Sequence, residues 1–392
     1  MDIICDLVFN NPYNNLEISD DIELYYTNQN SPVIAPNSTA TGQRSQKIKK
    51  LTKSLLSTSC ENNCNYCPFR ANRDFRRKTY TPDEIAKAFM SIYQHEISDG
   101  IFLSSGIING GSKTQDKLIE TAEILRIKYN FQGYLHLKIM PGANTSQLDR
   151  SIELADRVSV NLEAPNNQRL KILAPNKQFS KDLITPIKWL NDRFKNDPYK
   201  KGWKNRWPSL VTQLVIGPAG ESDKEVILAS HELINHYHLA RIYYSKFVPQ
   251  KNTPLYLSPP TSSKRTLRLY QASFLLRDYH YSPNDIIYDK YDNISLYEDP
   301  KLTWAKINLI NNPVEINKAP FNQLLRIPGI GIHGAKMIVQ QRKNNSIKKI
   351  EDLKNMGITS NQFLPFILLS GKRLEYQLSF SNRYFQDPTQ DV

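Results

Sequence analysis

The sequence has few cysteines, no long apolar run and fewer acidic than basic residues. Four cysteines in 392 residues cannot form the disulfide framework of a small secreted protein. No window approaches the ~18 uninterrupted apolar residues of a membrane-spanning helix, and the start lacks the basic and then apolar layout of a secretory signal. We therefore expect a cytoplasmic protein that is not inserted in a membrane.

The shortage of acidic residues leaves a formal net charge of +13, from 51 basic and 38 acidic side chains. Such an excess fits a partner rich in phosphate, such as a nucleic acid. Asn, Ile, Lys and Tyr are all abundant, as they would be in a protein from an A/T-rich genome. The excess charge therefore has either a functional or a compositional origin.

The chain divides into segments of different pattern. A polar, irregular lead-in at 1–50 precedes a stretch at 51–280, where six short apolar runs alternate with longer amphipathic ones. This alternation predicts βαβ units with parallel strands, and six strands are too few for a closed eight-stranded barrel. We predict an α/β fold, a partial (β/α)6 barrel of the TIM type. A connecting segment at 281–312, a small all-α domain at 313–375 and a tail at 376–392 follow.

Three of the four cysteines form the pattern C-x3-C-x2-C directly after the first predicted strand, at Cys60, Cys64 and Cys67. Loops at the carboxyl ends of barrel strands build the active sites of such folds, so this is where metal or catalytic ligands are expected. Cys5 is distant in sequence, and we interpret it as a bystander.

From the spacing alone, the three cysteines are compatible with more than one kind of site. A structural zinc site closes with four protein ligands, and no second Cys or His pair with suitable spacing is present. His231, His236 and His238 lie together, but they come on or after a helix beyond the fifth strand. A [4Fe–4S] cluster takes one ligand per iron, so three cysteines would leave one iron open to a substrate or cofactor. Three buried thiols without metal are the remaining alternative.

With Tyr66, the cysteines form the motif C-x3-C-x-aromatic-C, which resembles the radical S-adenosylmethionine (SAM) superfamily over about residues 50–280. The resemblance implies that the open iron is chelated by the amino and carboxylate groups of SAM. It also implies an enzyme that cleaves SAM reductively to a 5′-deoxyadenosyl radical, with a reductant such as flavodoxin or ferredoxin.

The same resemblance implies SAM contacts at later strand ends. The turn after the second strand reads SSG, where the superfamily usually has a Gly-Gly-Glu-like turn, so contacts there would come from main chain and hydroxyls. Polar residues after the fourth strand match positions that meet the ribose or carboxylate of SAM, and the turn after the fifth matches one that packs on adenine. Ordinary strand-end residues are the alternative. The implied contacts are Ser104, Ser105, Gly106, Asn161, Glu163, Gly217 and Glu221.

The C-terminal unit carries the stretch LLRIPGIGIHGAKMIV, a helix, a PGIG turn and a second helix with basic residues. This is the pattern of a helix-hairpin-helix, in which the turn and the N-terminus of the second helix bind DNA phosphates without reading bases. A degenerate second copy follows at IKKIEDLKNMGI. Protein contacts or domain packing are the alternative role. The predicted contacts are Pro328, Gly329, Ile330, Gly331, His333 and Lys336, and Arg342 lies on the same helix.

Further stretches, among them YLHLKIMPGA and YYSKFVPQKNTPL, resemble a group of radical SAM proteins assigned to DNA modification or repair. Members of this group are often encoded beside a uracil-DNA-glycosylase-like protein, which the resemblance implies as a partner. A tRNA-modifying enzyme and a DNA-binding iron–sulfur protein without turnover are alternatives. Tyr243, Tyr244 and Lys246, near the end of the sixth strand, either face the substrate or pack within the barrel.

Overall fold

The computed structural model describes residues 51–197 and 202–374. Within these limits the chain forms two compact units, one from residues 51–221 and Glu232–Ser262 and the other from Ser222–His231 and 263–374. The predicted lead-in at 1–50 with Cys5 and the tail at 376–392 lie outside the described residues. No helix of the described part is long and apolar enough to cross a membrane.

The first unit contains a sheet of six parallel strands that curls into a half-barrel, which confirms the predicted fold class. Each strand pairs in parallel with the next one along the chain, because a connection containing a helix returns the chain to the end of the sheet where the previous strand began. The strands are β1 (Leu51–Leu55), β2 (Gly100–Ser104), β3 (Tyr134–Lys138), β4 (Arg157–Ser159), β5 (Ser209–Ile216) and β6 (Arg241–Lys246).

Helices connect these strands, and local sequence signals explain where they begin. Thr81 caps the first helix in a capping box with Glu84, and a proline stands at its first position. Asn144 caps the third in the same way. The helices are α1 (Pro82–Gln94), α2 (Gly111–Glu123), α3 (Thr145–Leu154), α4 (Asn167–Leu173), α5 (Thr185–Asn196) and α6 (Asp223–Tyr237), with π-helical turns at Ile124–Lys128 and Phe179–Ile184.

The two faces of the sheet differ in polarity. On β2 and β3, Leu103 and Leu137 lie on one face, whereas Ser104 and Lys138 lie on the other and line a cavity. Central parallel strands usually carry apolar side chains on both faces. The polar face therefore marks the concave side of the half-barrel as the place for a bound ligand.

The second unit is mainly helical, and a helix-hairpin-helix lies at its C-terminal side, as predicted. A three-stranded sheet in this unit was not predicted. The helix Pro300–Asn308, which Asp299 caps within a tyrosine-rich stretch, was not predicted either. The elements are α7 (Ser263–Asp278), α8 (Pro300–Asn308), α9 (Phe321–Leu324), α10 (Ile332–Gln341), α11 (Ile350–Asn355), β7 (Val314–Glu315), β8 (Ile367–Leu369) and β9 (Lys372–Arg373).

Candidate active site

The cysteine motif lies in the loop between β1 and α1, which contains turns but no helix. Arg77 holds this loop together. Its guanidinium donates to the backbone carbonyls of Thr58, Phe69, Arg70 and Arg73 over distances between 2.8 and 3.2 Å. Because one rigid, planar cation binds four separate carbonyls, it sets the path of the chain around the thiols.

The three thiols differ in burial and in hydrogen bonding. Cys64 is buried, and the other two are half-buried. The N–H of Ile107 donates to Sγ of Cys60, and the N–H of Phe69 donates to Sγ of Cys67, each at 3.4 Å. Burial raises the pKa of the Cys64 and Cys67 thiols, so a bound metal that displaces their protons is what would make them thiolates.

The turn after β2 packs against the cysteine loop. The N–H of Gly106 donates to the Ser57 carbonyl at 2.8 Å, and a Cβ at position 106 would stand 2.1 Å from the Ser59 carbonyl oxygen. Only glycine allows this approach. Ser105 donates to the Gly106 carbonyl at 2.6 Å, whereas the buried Ser104 hydroxyl has no hydrogen-bond partner among the described residues.

Beyond β4, the chain buries an ion pair beside the thiols. Lys177 Nζ lies 3.0 Å from Glu163 Oε1, and both side chains are at most 10% exposed. Burial disfavours the charged carboxylate, but the ammonium groups of Lys177 and Lys138 hold the pKa of Glu163 below its ordinary value. Burial and the Glu163 charge raise the pKa of Tyr66 well above its ordinary value. Glu163 therefore remains a carboxylate within the site.

One cavity collects most of the residues predicted to bind the cluster or SAM. Two predicted residues, Gly217 and Glu221, do not line it, although Glu221 accepts a hydrogen bond from the Gly217 N–H in the turn after β5. Lys246 lines the cavity, Tyr243 accepts a hydrogen bond from Arg157 inside the barrel, and Tyr244 is fully buried. The predicted residues in the cavity wall are Cys60, Cys64, Tyr66, Cys67, Ser104, Ser105, Gly106, Asn161 and Glu163.

The PGIG turn of the second unit has the backbone of a helix-hairpin-helix. Gly329 takes a φ of +80°, which favours glycine, and Gly331 is the N-cap of α10. Ile330 is buried, and its carbonyl accepts a hydrogen bond at 2.7 Å from Nζ of the buried Lys301. The side chains of His333 and Lys336 are exposed on the first turns of α10. The turn is thus anchored from within and leaves basic groups at its surface.

Two family models match the sequence. Residues 54–228 match the model described as the Radical SAM superfamily. This chain carries a radical SAM domain. Residues 310–363 match the model described as the helix-hairpin-helix motif. Members of the radical SAM superfamily are enzymes that use a [4Fe–4S] cluster and SAM, which confirms the predicted cofactors and the prediction of an enzyme.

Solved structures give weaker similarities. The FeFe-hydrogenase maturase HydG from Carboxydothermus hydrogenoformans is 16% identical, with a TM-score of 0.46 over 58% of this chain and 51% of that one. Methylornithine synthase (PylB) is 14% identical, with a TM-score of 0.47 over 71% of this chain and 68% of that one. This chain thus spans about half the length of HydG. No curated protein matches the sequence.

The residues of the radical SAM domain fit a [4Fe–4S] cluster. Cys60, Cys64 and Cys67 all line one cavity, so the three thiols lie around a common space. A cluster takes one thiolate per iron, and its sulfur ligands commonly accept hydrogen bonds of the kind that Cys60 and Cys67 accept.

Sequence reasoning missed several residues of the radical SAM domain. Arg77 and Lys177 carried no signal. Arg77 binds carbonyls between 4 and 19 positions away with no motif to mark them, and Lys177 pairs with a carboxylate 14 positions away. Glu61 accepts hydrogen bonds from the N–H groups of Asn109 and Gly110 and so ties the cysteine loop to the start of α2. Lys138 did carry a signal, since the strand YLHLK alternates leucine with polar residues where a buried parallel strand is normally apolar throughout.

Proposed function

We propose that this chain is a radical SAM enzyme that acts on nucleic acid, in DNA modification or repair. The observation that carries the proposal is the presence of a radical SAM domain and a helix-hairpin-helix motif in one chain. The first supplies a reactive centre, and the second is a common means of gripping a DNA backbone without regard to sequence. No observation favours the tRNA alternative.

In this proposal Cys60, Cys64 and Cys67 hold the cluster, and the cavity wall holds SAM. When bound, the two cofactors supply a 5′-deoxyadenosyl radical, which abstracts a hydrogen atom. The chain itself provides hydroxyls and backbone groups at Ser104, Ser105 and Gly106, and polar side chains at Asn161 and Glu163, to orient SAM. Gly217 and Glu221 stay candidates for the adenine side.

The hairpin residues would position the substrate by its phosphates. The side chains of His333 and Lys336 are exposed, and the N-terminus of α10, which favours anions, lies at the same turn. Pro328, Gly329 and Gly331 shape the backbone, and Ile330 anchors the turn in the unit. Contacts of this kind give affinity that falls with added salt.

The decisive experiment is an assay of SAM cleavage by the cluster-loaded full chain with a strong reductant. Release of 5′-deoxyadenosine is measured alone and with duplex DNA, single-stranded DNA or RNA. We expect DNA to stimulate the release. Binding of DNA without any release would instead favour a DNA-binding iron–sulfur protein without turnover, and stimulation by RNA alone would contradict a DNA substrate.

A matched pair of variants tests the hairpin. Lys336→Gln should weaken DNA binding and lower the slope of log affinity against log salt by about 1. Lys343→Gln removes an equally exposed charge beyond the end of α10 and should change the slope less. Equal slopes for the two variants and the wild type would contradict a phosphate contact at Lys336.

The remaining partners follow from the family. Radical SAM enzymes use a reductant, and flavodoxin or ferredoxin is the class we propose. A uracil-DNA-glycosylase-like partner and a cytoplasmic location rest on the sequence resemblance and composition alone. Co-purification of the tagged full chain with such a glycosylase would test the first.

A further inference from the structure

Two rows of side chains cross the concave face of the half-barrel. In the first, strand pairing places Lys53, Phe102, His136, Arg157 and Ser209 next to one another on β1 to β5. In the second, it aligns Lys138, Ser159, Val211 and Arg241 on β3 to β6. Of these residues Lys138 lines the cavity, and the others of its row lie on the same face of the sheet. The first row lies two residues earlier on β3 and β4 and hence faces the same side.

These rows carry charge of one sign. They contain two lysines, two arginines and a histidine, and neither row contains a carboxylate. The histidine is kept neutral by its surroundings, because burial, Arg157, Lys138 and Lys53 together lower the pKa of His136 well below its ordinary value. Cations gathered in a low-dielectric interior repel one another, and the Glu163 carboxylate acts on Lys138 among them. A bound anion would add to the stabilisation that Glu163 provides.

Two side chains in the rows also have a buried polar atom without a hydrogen-bond partner among the described residues. His136 is 7% exposed and Ser159 is 4% exposed, yet neither His136 Nε2 nor Ser159 Oγ has a partner among the described residues. Buried polar atoms without partners are rare in native proteins and usually mark a bound water or ligand. The His136 ring stacks on Phe102 with 4.3 Å between the ring centroids, which fixes the orientation of the imidazole.

Arg157 is held in place as well. Its Nε donates to the Ser209 hydroxyl at 2.9 Å, and one terminal nitrogen donates to the Tyr243 hydroxyl. A guanidinium oriented in this way is pre-organised, so little conformational entropy is lost when it meets an anion.

We propose that these two rows form a phosphate-binding site inside the half-barrel, which receives the phosphate of a nucleotide unit of the substrate. Several cations together with neutral donors suit the tetrahedral oxygens of a phosphate, which accept hydrogen bonds in more directions than the planar carboxylate does. The site itself follows from the rows, whereas its assignment to a nucleotide rests on the proposed function.

The test uses the cluster-loaded full chain and calorimetric titration with four probes: inorganic phosphate, acetate, deoxycytidine 5′-monophosphate and deoxycytidine. We expect the nucleotide to bind at least roughly tenfold more tightly than the nucleoside, because a hydrogen bond to a charged group carries that much affinity. Phosphate should bind more tightly than acetate. Equal affinities within both pairs would overturn the proposal.

Variants locate the site. His136→Phe keeps the stacking on Phe102 and removes the unsatisfied nitrogen, so the Tm should stay the same or rise while nucleotide affinity falls roughly tenfold. Lys53→Gln should also weaken binding, and Lys87→Gln, an exposed residue of α1, serves as the charge-matched control. A lower Tm for His136→Phe with unchanged affinity would show a structural role and overturn the proposal.

The outcome can be separated from that of the proposed function. If phosphate binding depends on His136 but DNA does not stimulate SAM cleavage, the site stands and the nucleic-acid substrate is wrong. If DNA stimulates cleavage and neither His136→Phe nor Lys53→Gln alters nucleotide binding, the substrate class stands and the site is wrong.

Discussion

The cysteine loop and the PGIG turn are both short segments that present groups to a ligand, but they are held by different means. Arg77 and Glu61 hold the cysteine loop through bonds from side chains to backbone groups as far as 49 positions away. The PGIG turn is held mainly by its own backbone, with Gly329 at a φ of +80°, and by a hydrogen bond from Nζ of the buried Lys301. A ligand site can therefore be built by distant partners or by local conformation, and mutations should affect the two sites differently.

The largest effect is expected at the thiols. Cys64→Ala should reduce the iron content from about four per chain to near zero and abolish SAM cleavage, because the cluster would lose one of its three protein ligands. Iron analysis and the visible absorption spectrum after anaerobic reconstitution measure this. Cys5→Ala is the control and should keep its iron, and a full complement of iron in Cys64→Ala would refute the assignment.

The second largest effect on iron content is expected when the side chain of Arg77, which holds the cysteine loop together, is replaced. Arg77→Gln breaks charged hydrogen bonds to four carbonyls, each typically contributing about 1.5–3 kcal/mol, and should lower iron content by more than half. The neighbouring, exposed Arg76→Gln is the matched control and should reconstitute normally. Equal iron content in the two variants would mean that Arg77 does not support the loop.

The buried amine of Lys301 under the PGIG turn should make the stability of the protein depend on pH. Burial lowers the pKa of Lys301 to about 7, against about 10.4 in the unfolded chain. Between these values the unfolded chain binds more protons than the folded one. The free energy of unfolding should therefore rise with pH from about 7 to about 10, by at most about 1.4 kcal/mol per pH unit.

Thermal unfolding of the full chain at pH 7, 8 and 9 measures this dependence. Lys301→Met should flatten the rise in Tm, whereas Lys318→Met, an exposed residue of the same unit, should keep it. A wild-type Tm that falls over this range, with no difference between the variants, would contradict a neutral Lys301 in the folded protein.

The smallest change in stability but a selective change in binding is expected at the glycines of the hairpin unit. Gly329→Ala and Gly357→Ala both place a side chain at a positive φ, at a cost of about 1–2 kcal/mol. At Gly329 the new Cβ would also lie 3.2 Å from Ser360, whereas at Gly357 it would meet nothing within 4 Å. Fluorescence anisotropy should show weaker DNA binding for Gly329→Ala alone, and an equal loss for both would place the contact elsewhere.

The same contrast explains how much the sequence could predict. The six strands, the cysteine motif and the PGIG turn each have a local signature, and all three occur in the structure. Lys177 and Arg77 could not be predicted, since their roles depend on which carboxylate or carbonyls the folded loop brings near. The helix Asn167–Leu173 was missed because it has only seven residues and stands between two prolines. The basic rows became visible only through the strand register, which sequence alone does not give.

The close approach of Gly106 to the cysteine loop sets a limit on variation. In a library that samples all residues at 104, 105 and 106, position 106 should retain glycine alone, since any larger residue would push the Ser59 carbonyl and with it the neighbouring Cys60. Positions 104 and 105 should accept small polar residues. The third position of SSG would then identify the turn in distant sequences better than either serine.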